Sequence, residues 1–533
     1  MAQTADHEIH STQNNRHWVL IPSALVFLGV VVTWGVLSLA SHFHSSGIVV
    51  LGIVLIGMPA LVLGIAALSH AASNAINFLS SSLKWWHVVW MLTFVSAFVF
   101  RNRRAADIAS EPLDAWAIYR VVIDVVVAFV LLGRLALRRT HWVGSMLQGV
   151  IGMLTVFGLV SLASTVWSVY PTWTLYKSWE YLLDIAVLAA ILATIDSVDE
   201  YRSLFNWTWA LYGVLLLSVW KDALLWPHEA LYSDTVQSGA LLGIRLDGIM
   251  PAVSANDVGT FAAILGLLSL ARLFPASQLQ FHRPWYTLLL LGSLVTMVIA
   301  QTRTAIAGFL FGGLIILLFS QRAKLGAFLT FVLAPLVALC TMGGLIWSFL
   351  ERGQTQEQMS SLSSRANWWA FAWQIYLERP LTGFGAYAAG RFAVMANLGQ
   401  GLTSTMHSDY LETIVGSSIW GLIPFVVALL GTWWLLFRYI HDTSAEPQQR
   451  QLTFEALAIL ALLTFRSVFM TMLTWHPPLH FLSILGFAEF VRRRRRAGIA
   501  MWPSHLSAPP FESEDSTSEL VHEGGPTTPS LSI

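Results

Sequence analysis

The sequence predicts an all-α protein, a polytopic bundle of transmembrane helices. Of its 533 residues, 56% are hydrophobic and only 11% are charged, and the mean hydropathy is +0.63, whereas soluble domains carry roughly 25% charged residues. A helix needs about 20 apolar residues to cross ~30 Å of hydrocarbon, and many segments reach this length. A transmembrane β-barrel would show a weaker, alternating pattern instead.

Apolar runs separated by charged or Gly/Pro/Ser clusters predict about 12 to 14 spans. They lie near 18–40, 48–68, 85–100, 119–136, 146–166, 178–196, 204–221, 257–272, 285–301, 304–320, 325–349, 409–437, 453–472 and 474–491. The run from Trp18 lacks a small-residue cleavage site, so we interpret it as a first span and not as a signal peptide. We predict a cytoplasmic N-terminal segment (1–17), a transmembrane domain (18–491) and a disordered cytoplasmic tail (492–533).

Basic residues between the spans predict the orientation, because cytoplasmic loops are enriched in Lys and Arg. The basic loops on one side contain Arg138, Arg139, Arg272, Arg283, Arg322, Lys324, Arg438, Arg450 and the run 492–496. The long loops 222–256 and 350–406 then lie on the outer side. Arg101, Arg103 and Arg104 also fall outside, so either the early spans are miscounted or this loop binds something anionic.

Charge and cysteine content exclude several function classes. The formal net charge is zero, which gives no electrostatic support for binding nucleic acid. The lone Cys340 excludes a disulfide framework or a thiolate metal site. The sequence shows no metal-ligand array, so we predict neither a metal nor a cofactor.

The stretch QTRT at residues 301–304 interrupts a long apolar run. One continuous helix here would be ~50 Å long, which is far more than the bilayer. The chain must therefore turn, and we predict that Thr304 caps the second helix. Arg303 then lies at the outer membrane boundary beside a helix N-terminus, a position that suits a phosphate. Alternatively, Arg303 anchors the helix to lipid headgroups.

The loop 350–406 contains a predicted helix between Ser364 and Pro380. Its positions on one stripe are Arg365, Trp369, Ala372, Tyr376 and Arg379. The pattern predicts an amphipathic helix lying along the membrane surface with its aromatic side chains down. The arginines on this stripe either snorkel between interfacial tryptophans or clamp a phosphate.

The stretch MHSDYLETIVGSSIWGL begins at Met406 and opens a further span. Asp409 and Glu412 fit a D-x-x-E variant of the capping box. Capping gives no reason for His407, which precedes the helix at the outer boundary. A neutral imidazole there can take a proton from a hydroxyl, although a boundary histidine can also be an interface anchor.

Together with two upstream motifs, these stretches match a family pattern. The motifs are STVWSVYPTW, RLDGIMPAVSANDVGT with Arg245 and Asn256, QTRTAIAG, ERPLTGFGAY and HSDYLETIVGSSIWGL. In this order they resemble the O-antigen ligase and O-antigen polymerase (Wzy-type) superfamily over roughly residues 145–490. Departures are Ser408 in place of the Asn that follows the family's histidine, Ala305 in place of a turn glycine, and a missing later acid near Gly416.

The resemblance implies a GT-C-like, metal-independent, inverting glycosyltransferase in the bacterial inner membrane. It would move a glycan from undecaprenyl diphosphate to an acceptor hydroxyl of a growing surface polysaccharide or of lipid A core, at the periplasmic face. His407 would be the base and Arg303 and Arg365 the diphosphate clamp. Arg245, Arg379, Asp409 and Glu412 are further candidates for substrate binding, and one of the two acids would orient the imidazole.

Alternative functions remain open from the sequence. Within the enzyme class, the acceptor can be a polysaccharide, lipid A core or a protein. A lipid-linked glycan flippase or transporter would carry charged residues inside its spans, whereas these arginines lie at one surface. Arg466 and Arg134 are near enough to helix ends to snorkel. A non-catalytic scaffold with partners in a polysaccharide assembly complex is the third class.

Overall fold

The protein is described here by a computed structural model. It describes residues 83–98, 105–110, 114–137, 142–231, 244–319, 365–400, 405–442, 445–476 and 478–497, with scattered positions between 336 and 354. The helices in chain order are α1 (Trp85–Phe98), α2 (Ala105–Ser110), α3 (Ala115–Ala136), α4 (Trp142–Met146), α5 (Gly149–Ala163), α6 (Pro171–Leu192), α7 (Val198–Leu225), α8 (Pro227–Leu231), α9 (Ala255–Leu273), α10 (Arg283–Ala300), α11 (Arg303–Phe319), α12 (Arg365–Glu378), α13 (Asp409–Ile440), α14 (Pro447–Ser467) and α15 (Leu479–Arg496). A 3₁₀ turn (Ser164–Trp167), a π-helix (Ala389–Met395) and a hairpin of β1 (Gly248–Ile249) with β2 (Ala252–Val253) complete these elements.

The predicted all-α, multi-pass membrane fold is confirmed. In the described part of the chain, six helices are long and apolar enough to cross a membrane: α3, α5 with its 3₁₀ turn, α7, α9, α10 and α13. The predicted spans 18–40 and 48–68 and most of 325–349 lie outside the described residues. Helix α15 continues through the arginine run to Arg496, so the chain is still helical where the predicted tail begins.

The centre of the bundle is built from mostly apolar helices that are buried on all sides. Helix α9 packs against α10, α11 and α14, while α5 packs against α6 and α13. Almost every residue of α9 and most of α14 are buried, whereas α10 exposes most of its apolar side chains. An all-round apolar helix is expected in the interior of a membrane bundle, so α9 and α14 form the frame on which the outer elements rest.

The predicted turn at residues 301–304 is confirmed, but its capping differs. Helix α10 ends at Ala300, Gln301 has a left-handed backbone (φ 52°), and α11 begins at Arg303. Thr304 is therefore inside α11 and does not cap it. Thr302 instead precedes the helix, and its hydroxyl donates to the Ala255 carbonyl at the start of α9. This bond ties the turn to the frame.

The PLTGFG stretch at residues 380–385 folds as a tight connector against α13. Phe384 and Gly385 donate their backbone N–H groups to the carbonyls of Val415 and Gly416, both at 2.9 Å. The φ angle of Gly385 is +97°, and an added Cβ would lie 2.1 Å from the Ser168 hydroxyl oxygen. A glycine is required there by backbone conformation and by close approach.

We expect Gly385→Ala to destabilise the protein far more than Gly399→Ala. Both glycines have positive φ, but a Cβ at Gly399 meets nothing within 4 Å. The steric overlap with Ser168 should add about 1–3 kcal/mol to the conformational strain that both variants share. Thermal unfolding of the two variants in detergent measures this difference. Equal melting temperatures would contradict the packing argument.

Candidate functional site

Three helix starts bring two arginines and a histidine together near one end of the bundle. Arg303 begins α11, Arg365 begins α12, and His407 lies two residues before α13. The charges of Arg303 and Arg365 act on each other, and those of Arg365 and Arg466 act on His407. The three residues that the sequence predicts as the catalytic set therefore belong to one cluster, which we call the guanidinium cluster.

Arg303 is held by the segment that follows α11. Its Nη1 donates to the Leu350 carbonyl at 2.9 Å and its Nη2 to the Gln354 side-chain oxygen at 2.6 Å. Partial burial lowers the pKa of Arg303. A guanidinium has five N–H donors, so these two bonds orient the group and leave donor capacity for an anion.

Arg365 and the inward stripe of α12 face the protein. Arg365 donates from Nη1 to the Phe469 carbonyl at 3.0 Å, and Trp369 donates from its ring to the Met406 carbonyl at 3.0 Å. Ala372 and Tyr376 are buried on the same stripe. Burial, followed by the charge of Arg303, lowers the pKa of Arg365. The prediction of a helix over this segment is confirmed. The hydrogen bond from Trp369 on its inward stripe holds Met406, the residue before His407.

His407 occupies a strained and half-buried position. Its backbone is left-handed, with φ 57°, which is unfavourable for a side chain with a Cβ and is often found at functional sites. The imidazole stacks on Trp368, with ring centroids 5.9 Å apart. Among the described residues, no group hydrogen-bonds to its buried Nδ1.

Burial lowers the pKa of His407 to about 3, and the positive charges of Arg365 and Arg466 act in the same direction. A lowered pKa means that the neutral form persists until the pH falls through about 3, so the ring is uncharged at physiological pH. A neutral imidazole with a free nitrogen can accept a proton.

Arg466 is the residue of this cluster that sequence reasoning missed. We predicted that it snorkels from a helix end, but the structure contradicts this, because Arg466 is completely buried. Its Nη2 donates to the Asn256 carbonyl at 3.2 Å, while Nε and Nη1 have no hydrogen-bond partner in the described part of the chain. The nearby acid whose charge attracts it is Asp257. A buried arginine with unused donors is costly unless a ligand completes it.

The two acids after His407 have structural contacts that differ from the predicted capping box. Asp409 is completely buried, and its carboxylate accepts hydrogen bonds from the backbone N–H groups of Met472, Leu473 and Thr474 and from the Thr474 hydroxyl. Glu412 accepts from the Met406 N–H. The capping box is therefore wrong, because Asp409 is already inside α13 and both carboxylates are engaged elsewhere. Neither acid hydrogen-bonds to Nδ1 of His407.

Arg245 and Arg379 lie in different surroundings. The segment containing Arg245 packs on the α10–α11 turn, where Leu246 donates its N–H to the Ile299 carbonyl at 3.2 Å. Arg379 follows the far end of α12, about 20 Å from Arg365 at 1.5 Å per residue, and its guanidinium lies 4.8 Å from the centre of the Phe384 ring. The structure places the segment that contains Arg245 against the turn that precedes Arg303, and Arg379 beyond the far end of α12. Substrate binding by either residue stays a prediction.

The fold and this cluster define a multi-pass helical membrane protein with a cationic, histidine-containing site. Residues 288–426 match the family model described as O-Antigen ligase. The match covers about a quarter of the chain, and it includes Arg303, Arg365 and His407 but not Arg466. No curated protein matches the chain. The resemblance that the motifs indicate is thus confirmed over these residues.

We expect Arg365→Gln to raise the pKa of His407, because the variant removes one of the two positive charges that act on the ring. A ¹⁵N NMR titration of histidine-labelled protein, with His407 assigned by substitution, measures this shift. Arg379→Gln removes the same charge from the other end of α12 and should leave the titration unchanged. A wild-type His407 that titrates near its ordinary value of about 6.5 would contradict the described environment.

Proposed function

We propose that the protein is a membrane glycosyltransferase of the O-antigen ligase type. It transfers a glycan from a polyprenyl diphosphate, undecaprenyl diphosphate in bacteria, to the hydroxyl of an acceptor. The match to the O-Antigen ligase family model supports a ligase-like function in general. The donor, the acceptor and the reaction course belong to the proposal.

In the proposed reaction, His407 removes the proton of the acceptor hydroxyl while the oxygen attacks the anomeric carbon of the donor. A new C–O bond forms, the bond from that carbon to the diphosphate breaks, and its electron pair leaves with the diphosphate. Attack opposite the leaving group inverts the anomeric centre. Arg303, Arg365 and Arg466 stabilise the negative charge that develops on the diphosphate.

The observation that carries the proposal is a neutral imidazole among three guanidiniums. Burial, followed by the charges of Arg365 and Arg466, lowers the pKa of His407, so the residue that must accept a proton is uncharged at physiological pH. The same arginines repel one another, which is unfavourable unless an anion joins them. A diphosphate leaving group and a base are the two requirements of this displacement.

The acceptor and the location are inferred from the resemblance. A growing surface polysaccharide, lipid A core and a protein hydroxyl all present the same nucleophile, so the cluster by itself does not choose among them. We place the reaction at the periplasmic face of the bacterial inner membrane, where the orientation predicted from the basic loops puts loop 350–406. Analysis of the product formed with each acceptor class distinguishes them.

Transport of a lipid-linked glycan is a second candidate, favoured by one observation. The structure buries Arg120, Asp124, Lys177 and Glu180 inside the bundle, and intramembrane charge was the feature expected of a transporter. Proteoliposomes with donor in both leaflets separate the two functions, because a transferase forms a new glycosidic bond and a flippase only changes the accessible leaflet.

We expect His407→Ala to lower the transfer rate by about 100-fold or more, the usual contribution of a general base. Donor binding should persist because the arginines remain. The purified variant in liposomes with lipid-linked glycan donor measures both quantities. His441→Ala, at the other end of α13, is the matched control and should transfer normally. Normal turnover by the His407 variant would contradict the role of His407 as the general base.

We expect Arg303→Lys to raise the KM for the donor about tenfold, because lysine keeps the charge but loses the two-pronged donor geometry of a guanidinium. Steady-state kinetics at varied donor concentration measure this change. Arg283→Lys, at the start of α10, is the control and should leave KM unaltered. An unchanged KM in the Arg303 variant would contradict the role of Arg303 in binding the donor diphosphate.

A further inference from the structure

A second group of ionisable side chains lies inside the bundle, separate from the guanidinium cluster. Helix α3 contributes Arg120 and Asp124, and α6 contributes Lys177, Glu180 and Asp184. His476 joins them from the segment between α14 and α15. All six side chains are buried. Charged groups at membrane depth are costly and usually functional, and the proposed transfer reaction uses none of these.

The charges of four members balance. Glu180 pairs with Arg120 at 2.5 Å and with Lys177 at 2.6 Å. The charge of Asp124 acts on both cations. With Asp124 ionised, these two cations and two carboxylates sum to zero, and the whole group is then neutral when Asp184 and His476 are together neutral. An uncompensated charge in such a site would cost several kcal/mol.

Both ring nitrogens of His476 are engaged. Nδ1 lies 2.7 Å from Asp184 Oδ2, and Nε2 lies 3.0 Å from the Ser96 hydroxyl oxygen. That hydroxyl donates its single hydrogen to the Thr93 carbonyl at 2.8 Å, with Asp124 as a competing acceptor. With that hydrogen on one of these oxygen acceptors, Ser96 accepts from His476, and this arrangement places the ring hydrogen on Nε2.

The contact between Nδ1 and Asp184 then needs a proton of its own. If Nδ1 is bare, a carboxylate would face a lone pair at 2.7 Å, which is repulsive. The other oxygen of Asp184, Oδ1, is buried and has no hydrogen-bond partner among the described residues. An unbonded oxygen costs less on a neutral carboxylic acid than on a carboxylate. The proton therefore belongs on Asp184.

We propose that Asp184 is a proton-binding site within the membrane domain: its carboxylic acid donates to Nδ1 of a neutral His476, and the bound proton makes the six-residue group neutral. The ligand is the proton itself. Ser96 on α1, Asp124 and Arg120 on α3, and Glu180 and Lys177 on α6 surround the pair. Loss of the proton leaves a net negative charge in the bundle and breaks the bond to His476.

A metal ion fits this group less well. Ligand atoms of Asp124, Glu180 and His476 lie within 4.8 Å of one another. Coordination by His476 would break its bond to Asp184 or to Ser96, and Glu180 already neutralises two cations.

The bound proton has a consequence for the guanidinium cluster, and this step rests on the proposed function. The segment 468–476 is anchored at His476 by Asp184, at residues 472–474 by Asp409, and at Phe469 by Arg365. A break at His476 removes one of the three anchors of the segment whose Phe469 carbonyl orients Arg365. Asp184 is thus a positioning residue for the proposed reaction and not a catalytic one.

Solid-state ¹⁵N NMR of histidine-labelled protein in lipid tests the proton site without any transfer assay. The His476 signals are assigned from the spectrum of His476→Gln. We expect a neutral ring with hydrogen on Nε2 and a hydrogen-bonded, unprotonated Nδ1. A ring with hydrogen on Nδ1, either as the neutral tautomer or as imidazolium, requires an ionised Asp184 and would overturn the proposal.

Asp184→Asn provides the functional test, because its amide can donate to Nδ1 as the carboxylic acid does. We expect its Tm and its transfer rate to stay within about twofold of wild type. Asp124→Asn is the matched control: it removes a balancing charge and should lower the Tm. An Asp184→Asn variant that unfolds or loses transfer while Asp124→Asn does not would overturn the proposal. Absent transfer in wild-type protein would reject the proposed function alone.

Discussion

The arrangement of the candidate site depends on one buried carboxylate, that of Asp409. It accepts hydrogen bonds from three consecutive backbone N–H groups and one hydroxyl of the segment after α14. These donors have no secondary structure of their own to pair with, so the carboxylate compensates for amides that would otherwise be orphaned. The bonds join the start of α13, and with it His407, to the segment whose Phe469 carbonyl orients Arg365.

The guanidinium cluster is held in an unfavourable state that an anion would relieve. Arg303 and Arg365 act on each other through like charges, Arg466 has unused donors in a completely buried position, and His407 has a left-handed backbone. Each feature costs free energy in the empty protein. Such pre-organisation is what electrostatic stabilisation of a developing diphosphate requires, because the donors need not reorient during the reaction.

Sequence patterns predicted the features that depend on local rules. Apolar run length predicted the spans, excess helix length required a turn at residues 301–304, and Ser364 and Pro380 predicted the bounds of α12. His407 stood out because capping could not explain it. Thr304 was misplaced as a cap because the left-handed Gln301 ends α10 at Ala300 and α11 already begins at Arg303, so Thr304 lies in the first turn of that helix.

Contacts between distant segments could not be predicted from the sequence. In the sequence, Arg466 lies near a helix end. Only the packing of α14 against α9 makes it a buried neighbour of Asn256. His476 and Asp184 are 292 positions apart, so no local spacing indicates their bond. The acids at 409 and 412 fit a local capping motif, yet the carboxylate of Asp409 accepts from amides more than 60 residues away, because buried orphan amides outweigh a surface cap. Glu412 accepts from the nearby Met406 N–H instead.

The most direct measurement is a structure of the protein in lipid nanodiscs with a polyprenyl diphosphate donor bound. The account predicts diphosphate oxygens within hydrogen-bond distance of Arg303, Arg365 and Arg466, with the anomeric carbon facing His407. A donor whose diphosphate lies elsewhere, with these three side chains contacting only protein, would contradict the assignment of the cluster as the leaving-group site.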